Sequence, residues 1–164
     1  MPAFSWEADP VHHLARLTRA DLDPDQRYLL DTGTYSLTAL SVPLPQPRLL
    51  ETSRTLAGSA EQAEAAAMDR MARGFADYAE AHGGASARTA LTAFLAHDVV
   101  AWLHAPADDA ARRCIQSAAA QLTVLLGEMC ADSGTHALAQ HYHQTAASLA
   151  ETATSTSTSS PCEP

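Results

Sequence analysis

Leu126-Gly127-Glu128-Met129-Cys130-Ala131-Asp132-Ser133-Gly134-Thr135-His136-Ala137-Leu138-Ala139-Gln140-His141-Tyr142-His143-Gln144-Thr145-Ala146 is the stretch that decides the fold of this chain. Leu126, Gly127, Gly134, Ala139 and Ala146 stand at the spacings of a tetratricopeptide-type helix-turn-helix. Small residues recur there because two antiparallel helices approach closely only where no bulky side chain intervenes. Gly134 is expected to end the first helix in a left-handed cap that a Cβ would resist. Such a scaffold points to binding before catalysis.

Working outward, Asp108-Asp109 opens the helix that leads into this stretch, with Ile115, Ala119, Leu122, Leu125, Leu126 and Met129 on one face. The helix after Gly134 spans Thr135 to about Ala150 and turns Leu138, Tyr142, Ala146 and Leu149 inward. Upstream, Ser59 is expected to cap a long helix reaching Gly83-Gly84 with Ala67, Met68, Met71, Phe75 and Tyr78 in line. Ser86 is expected to cap the next, striped by Leu91, Phe94, Leu95, Val99, Trp102 and Leu103 and broken by Pro106. Asp9-Pro10 and Asp23-Pro24 each combine an N-cap with proline at N1, the second opening a helix as far as Leu40. Pro43, Pro45 and Pro47 make a stiff linker, followed by a short helix from Arg48 to Leu56. No strand pattern occurs, so the expected fold is all-α, of antiparallel tetratricopeptide-like hairpins. Residues 1–58 are N-terminal helices and linker packing on the bundle, 59–153 the helical module, and 154–164 a Ser/Thr-rich disordered tail.

Composition supports this. The 164 residues suffice for one domain with a real core, and hydrophobic residues reach 46% while aromatics stay at 5%. Thirty-five alanines argue for closely packed helices. Lysine and asparagine are absent, a signature of a GC-rich genome. The formal charge of −9 argues against nucleic-acid binding by this chain alone. Neither a signal peptide nor an apolar stretch of the roughly 20 residues a membrane span requires is read. Cys114, Cys130 and Cys162 lack CxxC spacing and read as reduced thiols, which points to the cytoplasm.

Clustered histidines raise the question of a metal. His136, His141 and His143 lie close in sequence, as do His97 and His104. Their helical spacing is not the i, i+3 or i, i+4 of a compact site, so no metal and no cofactor is assigned, and His97, His104, His136 and His143 remain the candidates should one bind. His97 and Asp98 are neighbours on a helix and diverge by about 100°, so they make no acid–base pair. Asp98 is expected to pair with Arg88 or another arginine. Cys130 sits at a helix C-terminus, where the dipole argues against a catalytic thiolate. The better functional claim belongs to a groove between helix pairs. Tyr78, Phe94, Trp102 and Tyr142 would wall it, and Arg73, Arg88 and Arg112 would supply donors to an acidic ligand or peptide. Leu29 to Leu44 is a second interaction candidate, packing across the bundle or forming a dimer interface.

From about Ala63 to Ala150 the chain resembles the C-terminal region of actinomycete XRE-type (helix-turn-helix) transcriptional regulators. The matching words are Met68-Asp69…Phe75, Gly83-Gly84…Ala87-Arg88-Thr89-Ala90-Leu91, Leu95…Asp98-Val99, Ser117-Ala118-Ala119-Ala120-Gln121-Leu122 and Asp132-Ser133-Gly134-Thr135-His136…Leu138-Ala139-Gln140…Tyr142. His12 to Pro45 is similar to the stretch that joins this region to the family's DNA-binding head. No counterpart of that head is expected within these residues, because helix patterning begins only at Asp9, as in a truncated chain or a stand-alone relative. His143 departs from the family, which carries a core Phe there. The resemblance implies a module that senses a small molecule, peptide or protein and mediates homodimerisation. The expected function is therefore regulatory and non-enzymatic. An accessory protein of a biosynthetic pathway, binding an enzyme or precursor peptide, and a helical-bundle metal protein or enzyme using the histidines are the alternatives.

Overall fold

The computed structural model of the chain describes residues 9–32 and 60–155. Within them the fold is all-α, and no residue is in a strand. Helices α1 (Pro10–Leu22) and α2 (Pro24–Asp31) form an N-terminal pair. Asp9 caps α1 by accepting from the Val11 amide at 3.0 Å. Asp23 caps α2, accepting from the Asp25 amide at 3.0 Å and from Gln26 Nε2 at 2.9 Å. Helix α2 ends at Asp31, with the Thr32 amide bonded to the Tyr28 carbonyl, and the part of the expected helix from Gly33 to Leu40 lies outside the described residues. The proline linker, the helix expected over 48–56 and most of the expected tail lie outside the described residues.

The module proper begins with α3 (Ala60–His82), which turns at Gly83 (φ +85°) into α4 (Gly84–Phe94). A π-helical turn, Leu95–Val99, carries α4 without a break into α5 (Val100–His104). Here too the sequence reading needs correcting. Gly83 occupies the N-cap position, and Ser86 lies inside the first turn, donating its hydroxyl to the Gly83 carbonyl at 2.7 Å. The Ala105 backbone is extended, which ends α5 just before Pro106. Asp108 then caps α6 (Asp109–Asp132) by accepting from the Ala111 amide at 2.8 Å. Helix α7 (His136–Ser155) completes the fold and runs two residues into the segment expected to be disordered.

The join between α6 and α7 is the one anticipated. Gly134 is left-handed, at φ +79°. The Gly134 amide reaches the Ala131 carbonyl and the Thr135 amide the Cys130 carbonyl, both at 2.9 Å, as in a Schellman motif. The two helices fold back on each other as a hairpin and make the most extensive helix–helix contact in the structure. Its inner faces bury Leu122, Leu126, Met129, Leu138, Tyr142 and Leu149, and Leu14, Met68, Leu91, Leu95 and Val99 close the core from the other helices. Ala118, Ala119 and Ala120 are all buried, so α6 is enclosed on more than one side. Helix α6 is also long and apolar enough to match a membrane span by length and mean hydropathy alone. In this fold 67% of that window is buried against other helices.

Candidate functional site

Two features stand out, and both involve α4. The first is a polar cluster sealed inside the core. On α1 the inward stripe Val11, Leu14 and Leu17 continues at its next position with Asp21, only 2% exposed. Its carboxylate accepts from the Arg88 guanidinium of α4, from Thr92 Oγ1 at 3.2 Å and from Tyr142 Oη of α7 at 2.7 Å. Arg88 Nε donates to Cys130 Sγ of α6 at 3.1 Å. One buried carboxylate thus ties α1, α4 and α7 together, and Arg88 extends the cluster to α6 through Cys130. A charge so far from water is tolerable only when it is paired and hydrogen-bonded, and here a guanidinium, a phenol and a threonine hydroxyl (shared with the Arg88 carbonyl at 2.9 Å) donate to it.

The surroundings set the protonation of each member. Burial pushes the Cys130 thiol up, against the pull of the Arg88 guanidinium. Burial and then the Asp21 charge push the Tyr142 hydroxyl well above the usual phenol range, so it stays a donor. Burial alone would lower Arg88, but its contacts with Cys130, Asp21 and Tyr142 prevail and raise it. Arg88 therefore pairs with Asp21 and not with Asp98, which is exposed on the π turn.

The second feature is a groove of about 350 Å³ between α3 and α4. Met71, Gly74, Phe75 and Tyr78 line it from α3, Ser86, Ala87 and Ala90 from α4, and Arg70 is the one charged side chain in its wall. Met71 and Tyr78 stay 40% and 48% exposed although they continue the apolar line of α3. The apolar surface extends past the groove, because Phe75 packs on Phe94 with ring centroids 6.3 Å apart. Phe94 in turn meets the edge of Trp102 at 5.8 Å.

The residues expected to form a site are thereby sorted. Tyr78 lines the groove and stacks on His82 at 4.6 Å, while Phe94 and Trp102 continue it through Phe75. Arg73 is next to it on α3 but is held by Asp69 at 2.6 Å. Arg112 bends back to the Ala107 carbonyl at 3.3 Å. Arg88 and Tyr142 do not reach the groove, because both are engaged in the buried cluster. Leu29 is exposed on α2, and from Gly33 onward the Leu29–Leu44 segment lies outside the described residues.

Among the described residues no group of three or more His, Cys, Asp or Glu side chains converges as a metal site would require. His97, His104 and His136 are exposed, and His104 Nδ1 donates to the Val100 carbonyl at 2.7 Å. His143 is half-buried against Gly127, and burial lowers its pKa. A Cβ on Gly127 would sit 2.7 Å from the imidazole, so the glycine makes room for the histidine. Cys114 and Cys130 are free thiols, and Cys162 lies outside the described residues.

Asp21, Thr92, Arg70 and Gly74 were not singled out by the sequence reading. Asp21 had a legible signal, an acid at the position where the α1 stripe calls for an apolar residue. Gly74 and Arg70 had none, because an open surface between two helices has no periodicity of its own. No protein-family model, curated protein or solved structure matches the chain.

Proposed function

We propose that this chain is a non-enzymatic binding module, similar to the sensory and dimerisation region of an XRE-type regulator and built from tetratricopeptide-like hairpins. The groove between α3 and α4 is its binding surface. One observation carries the reading: a groove of about 350 Å³ whose apolar residues Met71 and Tyr78 are left in water by a chain that buries comparable side chains elsewhere. Volumes of this order suit small ligands and the anchor side chains of peptides.

Helix α4 links recognition to the rest of the fold. Ala87 and Ala90 face the groove, while Arg88 and Thr92 hold Asp21 of α1. A ligand that favours one placement of α4 therefore also favours one placement of α1, which is a population shift in its simplest form. In a homodimer such a shift would alter the geometry between subunits.

The test is to fill the groove. Gly74→Leu places a side chain where a Cβ meets nothing within 4 Å, so the fold is retained while the cavity is lost. Proteins captured from source-cell extract by wild type and by Gly74→Leu are compared quantitatively, with light scattering of each. A partner bound by wild type and lost on filling supports the reading. Identical partners and identical mass for both proteins would sink it.

A further inference from the structure

We infer that the occupant of the α3–α4 groove is an amphipathic α-helix of a partner protein that sets a single carboxylate against Arg70; this rests on the groove being the binding surface. Shape is the first argument. From Arg70 to Tyr78 the wall on α3 runs about 12 Å at 1.5 Å per residue, the distance over which a docked helix spreads anchors at i, i+3, i+4 and i+7. Its floor is made of Gly74, Ala87 and Ala90, and above Gly74 there is open space. Small residues below and exposed Met71 and Tyr78 at the sides leave depth for bulky apolar side chains supplied by the partner.

Charge is the second argument. Arg70 is the only charged residue in the lining and has no ion-pair partner among the described residues, whereas Arg73 one turn away is occupied by Asp69. A guanidinium at the end of an apolar groove is complementary to a carboxylate at the end of an apolar helix face. The lining disfavours a second copy of this chain as the occupant, because two grooves meeting about a two-fold axis offer no carboxylate to Arg70.

The experiment selects helical peptides from a displayed library with randomised surface positions, using the full chain as bait and Gly74→Leu for counter-selection. The expected result is groove-dependent binders with apolar residues at i, i+3 or i+4, and i+7, and Asp or Glu enriched at one fixed register. Replacing that acid by its amide weakens binding by about fivefold on wild type and not at all on Arg70→Gln. Selection against Arg70→Glu moves the enrichment to Lys or Arg. Groove-dependent binders without acid enrichment would overturn the carboxylate while keeping the groove as binding surface. Absence of any groove-dependent binder would overturn both. A wild-type dimer that dissociates on Gly74→Leu would assign the groove to a second copy and overturn the partner helix.

Discussion

Tyr142 donates its hydroxyl to Asp21 at 2.7 Å across 121 residues of chain, joining α7 to α1 deep in the core. The same carboxylate receives Arg88 and Thr92, so the contact is one strand of a network and not an isolated bond. The network joins α1 to α4 and α7 at one fixed point beyond the end of its apolar stripe. An inward face carrying Val11, Leu14 and Leu17 could slide along other apolar surfaces, whereas a buried acid has one place where its charge is answered.

Breaking this network is expected to cost far more than a surface change. Asp21→Asn leaves Arg88 buried without its counter-charge and should lower unfolding free energy by about 3–5 kcal/mol. Tyr142→Phe removes one of three donors and should cost about 1–3 kcal/mol. Urea denaturation measures both. In a double-mutant cycle with Asp21→Leu and Arg88→Met, the double variant should be more stable than either single one, because neither charge is then stranded. Additive losses would mean that the pair does not act as a unit.

Two glycines on the α3–α4 hairpin should respond to the same substitution with opposite sign. At Gly74 an added Cβ meets nothing within 4 Å, so Gly74→Ala should stabilise by up to about 1 kcal/mol through helix propensity. At Gly84 the Cβ would come 3.0 Å from the backbone Cα of Met129, which cannot swing aside. Gly84→Ala should therefore lower the thermal midpoint by several degrees, about what 1–2 kcal/mol produces in a domain of this size. Calorimetry of the two variants decides the matter.

Stability should fall on mild acidification. His13, His141 and His143 are all lowered from the ordinary value of 6.5, with burial the leading cause for each. For His13 the charges of His141, Arg16 and His12 add to it. The unfolded chain then binds more protons than the folded one, so stability is full above about pH 6.5 and is lost as pH drops through the lowered values. The urea midpoint should decline between about pH 7.5 and 5.5, while Glu128, raised by burial and then by Asp132, takes up its proton more readily in the folded state and acts with the opposite sign. Changing the three histidines to Gln should flatten that slope, and an unchanged slope would assign the protons elsewhere.

Thiol labelling provides a local readout of the same network. Cys130 is fully buried and its thiol is pushed up, whereas Cys114 is only half-buried. On a Cys162→Ser background, Cys114 should react with a thiol reagent in the native state and Cys130 only through opening of the core. Asp21→Asn should accelerate Cys130 labelling selectively, because Arg88 and α1 lose their anchor. Equal acceleration of both thiols would indicate global unfolding.

The local sequence alone determined the elements and several of their ends. Asp9-Pro10, Asp23-Pro24, Asp108 and Gly134 act where they stand, through capping bonds and backbone preference within a few residues, and periodic Leu, Ala and Val mark the faces that must leave water. Even the shared boundary near Gly83 was legible to within a turn, although the cap itself is Gly83 and not Ser86. Tertiary structure decided which polar residues are structural and which stay free to bind. Arg88 and Tyr142 read from sequence as groove residues, yet Asp21, brought in from α1, draws both into the core. Arg70 lines the groove, whereas its neighbour Arg73 is taken by Asp69. A side chain's partners across 121 residues, and the space left between two helices, depend on how the whole chain closes, and no short-range pattern encodes them.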